Sequence, residues 1–225
     1  MKYSIEGDIL PVVICELEQG EVMISENGDR SWMLGDIVTE TTTGGGAKKM
    51  LGRMFSGESM FLSRYKANSA GKIAFASSFP GSIVAKELGA GESIVAQKSA
   101  FLAATEGVEL SVFFQKKVSS GLFGGEGFVM QKITGPGTVF LEIDGSAIGY
   151  DLSPGERLVC DTGLVAMMDE SCSLDTQTVK GIKNMVFGGE GLFDTVVTGP
   201  GHVVLQTTTV GNFAAMLHPF MPVKK

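Results

Sequence analysis

The sequence predicts an all-β protein of three tandem sandwich-like repeats of the double-stranded β-helix type, packed with pseudo-threefold symmetry and carrying few short helices. Two observations predict it. The stretch Phe123 to Leu141, FGGEGFVMQKITGPGTVFL, returns as Phe187 to Leu205, FGGEGLFDTVVTGPGHVVL, and a looser first copy runs from Phe55 to Phe75. A self-match at constant spacing marks a duplicated supersecondary unit. The second observation is a series of short alternating apolar runs cut by turn residues, the rhythm of a sandwich or rolled barrel.

Each unit opens on Leu-x-x-Gly-Glu, at Leu17–Glu21, Leu88–Glu92 and Leu152–Glu156. From the glycine of that motif to the next Phe-x-Gly-Glu the interval is the same in the second and third copies and slightly longer in the first. The repeat therefore includes both motifs, and the expected units are residues 1–77, 78–143 and 144–225, the last with a C-terminal tail. Within a unit, Val139, Leu141 and Ile143 share one face of a strand, as do Val203, Leu205 and Thr207, and Ile73 and Phe75. Thr-Gly-Pro-Gly at 134–137 and 198–201 reverses the chain into hairpins, because proline presets its torsion and glycine accepts positive φ. Further strands are expected at Ile83–Ala85, Ser93–Ala96, Phe101–Ala104 and Leu158–Cys160.

Short helices are candidates at Ala47–Phe55, Val112–Ser119 and Val179–Met185, although β-structure fits the second equally well. Thr41 to Gly46 reads as a loop. The tail after Gly211 has no copy elsewhere and is expected to dock on the body or on a neighbouring subunit.

Composition bounds the function classes. With 18 Lys+Arg against 25 Asp+Glu the formal charge is −7, which works against a sequence-independent grip on nucleic acid or anionic lipid. Charged residues make up 19% and apolar residues 44%, a balance that buries a core rather than leaving the chain disordered. The start, MKYSIEGDILP, lacks a signal-peptide core, and no window approaches the roughly 18 apolar residues of a membrane span. A cytoplasmic protein is expected. Cys15, Cys160 and Cys172 have no zinc-site spacing and read as reduced, mostly packed thiols.

Several motifs together carry a family resemblance. The three Leu-x-x-Gly-Glu copies, Gly-Gly-Gly-Ala-Lys-Lys-Met-Leu-Gly-Arg-Met-Phe-Ser-Gly-Glu-Ser at 44–59, Phe-Gly-Gly-Glu-Gly, Cys-Asp-Thr-Gly-Leu-Val-Ala at 160–166 and Thr-Gly-Pro-Gly resemble the altered-inheritance-of-mitochondria family. The resemblance spans nearly the whole chain. It implies three repeats similar to the subunit of the tryptophan RNA-binding attenuation protein, a small β-sandwich. Mitochondrial relatives look like organisers of inner-membrane architecture, but for bacterial members the family implies no reaction.

Glu58, Glu126 and Glu190 recur in all three Phe-x-Gly-Glu turns. Gathered at one axis, three carboxylates would form a cation site; taken singly, each accepts hydrogen bonds from its own turn. The second reading carries more weight, because catalytic sites are usually single while this feature is triplicated, and it extends to Glu21, Glu92 and Glu156. Gly44 to Lys49 lacks the hydroxyl that a P-loop places after its lysine, and Gly-Gly-Glu-Gly misses the dinucleotide fingerprint. The histidines, His202 and His218, have no third metal ligand or triad partner in the sequence. Neither a metal nor a cofactor is expected, and an enzyme is disfavoured.

Basic residues stand just upstream of each Phe-x-Gly-Glu turn: Lys48, Lys49 and Arg53, then Lys116 and Lys117, then Lys180 and Lys183. They form a candidate ligand or partner surface for a phosphate backbone or lipid headgroups. The acidic balance, with one Trp and three Tyr, weighs against RNA and leaves a solvated face as the default. Twelve Met and fourteen Phe fill cores and contacts between subunits, so a homo-oligomer is expected. The leading expectation is a non-enzymatic assembly or scaffold protein with a protein or membrane-surface partner; the alternative is a binding module for a small apolar or anionic ligand or for RNA.

Overall fold

A computed structural model describes residues 1–26, 30–41, 62–116, 128–178 and 193–221. Among these residues the chain is nearly all strand. The strands are β1 (Lys2–Glu6), β2 (Val12–Leu17), β3 (Val22–Glu26), β4 (Arg30–Leu34), β5 (Ile37–Thr41), β6 (Leu62–Ala67), β7 (Gly71–Ala76), β8 (Gly81–Leu88), β9 (Ser93–Gln97) and β10 (Phe101–Thr105). They continue as β11 (Glu109–Lys116), β12 (Phe128–Thr134), β13 (Gly137–Asp144), β14 (Ala147–Leu152), β15 (Arg157–Asp161), β16 (Val165–Asp169), β17 (Ser173–Thr178), β18 (Phe193–Thr198) and β19 (Gly201–Gln206). Among the described residues one α-helix, α1 (Val210–Leu217), follows.

Four antiparallel sheets result. Sheet I runs β1-β2-β7-β4, sheet II β5-β6-β3-β10-β13-β8, sheet III β11-β12-β9-β16-β19-β14 and sheet IV β15-β18-β17. The same pairing scheme recurs along the chain: β2-β7-β4, β8-β13-β10 and β14-β19-β16 are matching trios, as are β5-β6-β3, β11-β12-β9 and β17-β18-β15. Sheets II and III each take three strands from either side of an expected unit boundary. The expected units thus share these two sheets.

Three buried clusters order the sheets. Val13, Cys15, Ile73 and Phe75 of sheet I meet Met23, Tyr65 and Phe140 of sheet II. Ile24, Val139, Leu141 and Ile143 from the other face of sheet II meet Ile94, Ile133 and Met167 of sheet III. Val95, Met168 and Val203 of sheet III meet Val197, Leu158 and Leu174 of sheet IV. Sheets II and III are thus covered on both faces, and their central strands read as unbroken apolar runs, Val-Met-Ile in β3 and Phe-Leu-Ala-Ala in β10. The expected strands at Ile83–Ala85, Ser93–Ala96, Phe101–Ala104 and Leu158–Cys160 lie within β8, β9, β10 and β15.

The Thr-Gly-Pro-Gly hairpins form as expected between β12 and β13 and between β18 and β19, each with a cis Gly-Pro peptide. Their first glycines are demanded by close approach rather than by φ, since a Cβ at Gly135 or Gly199 would stand 2.5 Å from the carbonyl oxygen of Gly89 or Ser153. Of the helix candidates, Ala47–Phe55 and Val179–Met185 lie outside the described residues. The described part of Val112–Ser119 is strand β11, paired with β12 from Glu109↔Thr134 to Lys116↔Phe128. A neighbouring ladder decides a short apolar run that periodicity leaves open.

Candidate functional site

The basic and acidic residues singled out by the repeat fall mostly beyond the description. Lys48, Lys49, Arg53 and Glu58 lie in 42–61, Lys117 and Glu126 in 117–127, and Lys180, Lys183 and Glu190 in 179–192, all outside the described residues. Lys116 closes β11, where only its backbone pairing with Phe128 is described.

The other triplicated carboxylates are described, and all three do the same thing. Glu21, Glu92 and Glu156 accept hydrogen bonds from the backbone N–H groups of Glu18, Gly89 and Ser153, at 2.8, 2.9 and 2.8 Å. A carboxylate is an acceptor-only group, so it closes the turn before β3, β9 or β15 by satisfying an amide that has no ladder partner. The Glu21 carboxyl is also held below its ordinary value, first by a hydrogen bond from the amino terminus at 2.9 Å and then by the Glu18 amide. These glutamates build turns.

Two further charged contacts are described, and they repeat one another. His202 Nδ1 lies 2.6 Å from Asp151 Oδ1 across the β14–β19 ladder, and at the matching place on β2–β7 Lys72 Nζ lies 2.7 Å from Glu16 Oε1. Repetition of the contact with a different cation marks a cross-strand pair. No group of three or more His, Cys, Asp and Glu that could hold a metal occurs among the described residues. Burial pushes the Cys15 thiol up to about 12 and the Cys160 thiol up to about 11, so both stay neutral and unreactive. Among the described residues no helix is long and apolar enough to cross a membrane.

The surface that does stand out is a pair of strand edges. The trios are joined through one kind of contact: β3 pairs with β10, and β9 with β16. Two strands are left over. Among the described residues β4, which matches β10 and β16 in the trios, pairs only with β7, and β15, which matches β3 and β9, only with β18. Burial follows the pairing. Strands β3, β10 and β16 are buried at their first four residues, whereas β4 keeps Trp32 48% and Leu34 67% exposed and β15 keeps Val159 49% exposed. Unpaired N–H and C=O rows carrying exposed apolar side chains are an association surface. Sequence reasoning missed it, because the edges differ from their counterparts in neighbours and not in residue type.

Two further features bear on binding. Gln131 Oε1 and Thr195 Oγ1 occupy the same position on β12 and β18, and both are buried without a hydrogen-bond partner among the described residues. The tail docks on the body: Thr209 caps α1 by accepting from the Asn212 amide at 3.0 Å, Asp144 accepts the Val210 amide at 3.1 Å, and Phe213 meets Phe79 edge-on with centroids 5.4 Å apart. Beyond that contact Met216 and Phe220 remain exposed.

Comparison with known proteins agrees with the sequence resemblance. An uncharacterized protein of Streptococcus pyogenes serotype M6 is 29% identical over 231 residues, covering 99% of this chain and 92% of that protein. An X-ray crystal structure of another Streptococcus pyogenes protein superimposes with a TM-score of 0.79 at 25% identity, over 98% of this chain and 99% of that one. The family model for mitochondrial biogenesis AIM24 matches residues 3–208, and the chain belongs to that family.

Proposed function

We propose that this protein is a non-enzymatic assembly or scaffold protein whose three tandem units, similar to the tryptophan RNA-binding attenuation protein subunit, build a closed homo-oligomer. One observation carries the reading. Among the described residues the stack ends in sheets I and IV with β4 and β15 each paired on one side, while the matching strands β3, β9, β10 and β16 are paired on both sides and largely buried. An open edge with apolar side chains is unfavourable for a stable monomer and favourable for a contact. Ring closure belongs in this reading to the oligomer rather than to a pseudo-threefold packing inside one chain. The proposed setting is the cytoplasm, consistent with three free thiols. Beyond the oligomer, the partner is a protein or a membrane surface, the latter carried by the family's link to membrane organisation alone.

Native mass spectrometry of protein purified gently from its own host tests the reading. A discrete multimer without a bound molecule is expected, and a monomer at micromolar concentration overturns it. The buried, unpartnered Gln131 and Thr195 favour a second reading, a binding module for a small polar or anionic ligand; a stoichiometric small-molecule adduct in the same spectrum would establish that instead.

A further inference from the structure

The stretch after Asp194 differs in chemistry from the rest of the chain. In a protein of formal charge −7, residues 195–223 contain no Asp, Glu, Lys or Arg. Strands β18 and β19 place the first part of this stretch in the core, through Val196, Val197, Val203 and Val204. The second part, α1 and the 3-10 turn His218–Phe220 behind it, enters no core: none of its residues is buried. Phe213, Met216, Leu217 and Phe220 stand at i, i+3, i+4 and i+7, the spacing that lines one helix face. All four are exposed, Phe220 by 83%.

A helix this short is marginal in water and takes its stability from the surface its apolar face packs on. The Thr209 cap, the bond from the Val210 amide to Asp144 and the ring contact of Phe213 with Phe79 fix its start. They leave the face beyond Phe213 to another surface. The apolar area also continues in the opposite direction. The Ile9 carbonyl accepts the Gly81 amide at 2.8 Å, which sets the β1–β2 turn beside the β7–β8 turn that holds Phe79. In that turn Ile9 is 72% and Leu10 55% exposed. An apolar patch therefore runs from Ile9 past Phe79 to Phe220, and a patch of this kind marks a contact.

The chemistry of the patch selects its occupant. Specific protein contacts take their register and orientation from charged groups, and residues 195–223 supply no carboxylate, ammonium or guanidinium. A bilayer asks only for apolar area at the right depth. At 1.5 Å per residue α1 is about 12 Å long, under half of the roughly 30 Å hydrocarbon core, so it fits the plane of the interface and not a span. We propose that α1 and Phe220, with Ile9 and Leu10 beside them, form a lipid-docking face that lies in the surface of a bilayer. Apolar insertion drives the attachment, since the acidic body gains nothing from anionic headgroups; neutral lipid therefore suffices. One short helix holds a bilayer weakly, and several copies on one assembly hold it firmly. In that respect the inference rests on the assembly reading, and it names the partner.

The test floats the full chain with phosphatidylcholine vesicles through a density gradient, with native mass read in parallel. The protein should float with these vesicles, and should float equally at high salt and with phosphatidylglycerol added. Met216→Asp with Phe220→Asp should lower partitioning by about tenfold or more, because a carboxylate resists entry into the apolar layer. Both positions are exposed, and circular dichroism confirms that the variant folds. Trp32 is the chain's single tryptophan, so brominated lipid should quench the emission added by Phe220→Trp and leave that of the wild type unchanged. A multimer that floats with neither vesicle overturns the lipid contact and keeps the assembly reading. Flotation that needs phosphatidylglycerol and vanishes with salt assigns the attachment to surface cations and overturns the apolar face. A double variant that falls apart into monomers gives α1 to a neighbouring copy, which also overturns it. A monomeric wild type whose flotation is lost in the double variant overturns the assembly reading and keeps the lipid contact.

Discussion

Thr195→Val separates the scaffold reading from the ligand-binding one. Thr195 is completely buried on β18, and its hydroxyl has no partner among the described residues. Valine keeps the β-branched shape and strand preference, so packing and propensity change little while the polar atom disappears. A buried polar group left unsatisfied costs about 1–3 kcal/mol, and its removal should return about 1–2 kcal/mol. For a chain of this size that corresponds to a rise of about 2–4 °C in Tm per kcal/mol. Guanidinium unfolding with an unchanged slope and calorimetry together read the effect. Gln131→Met should act the same way on β12, because among the described residues its buried carboxamide makes one long bond, Nε2 to the Lys98 carbonyl at 3.4 Å. Loss of stability in both variants would refute the reasoning. The two groups would then be satisfied in solution by a bound polar molecule, and the binding-module reading would take over.

Three other outcomes follow from the geometry. Glu92→Ala should lower stability by about 1 kcal/mol in thermal unfolding, because it leaves the Gly89 amide without its side-chain acceptor, and Glu92→Gln should cost less; equal loss in both would assign the effect to charge. Gly81→Ala should destabilise by about 1–3 kcal/mol, since a Cβ there would meet the Ile143 carbonyl oxygen at 1.9 Å within the β8–β13 ladder, and a neutral result in denaturant titration would contradict that packing. Cys15 stays neutral in the fold to about pH 12, against an ordinary value of 9.0. Its folded value is raised, so its contribution is fully present below about pH 9 and is lost as pH rises toward 12. Stability should therefore fall through that window, less steeply in Cys15→Val, and an identical alkaline profile in the variant would remove the thiol as the cause.

The sequence by itself determined where many of the strands run and which residues turn the chain, because each of these is a local property. Apolar alternation follows from the period of a strand, and Thr-Gly-Pro-Gly and Leu-x-x-Gly-Glu are read within a few residues. The turn role of Glu21, Glu92 and Glu156 was legible for the same reason. The charged set at Lys48, Lys49, Arg53, Lys116, Lys117, Lys180 and Lys183, with Glu58, Glu126 and Glu190, was legible as a pattern; it remains outside the structural account, apart from the backbone of Lys116. Only the tertiary structure decided which strands are neighbours. Pairing of β3 with β10 or β9 with β16 joins segments far apart in the chain, and nothing in the residues of β4 or β15 announces that a neighbour is missing. Trp32 and Val159 are apolar like their counterparts in the paired strands. They are exposed because, among the described residues, β4 has only β7 and β15 only β18 as a ladder partner.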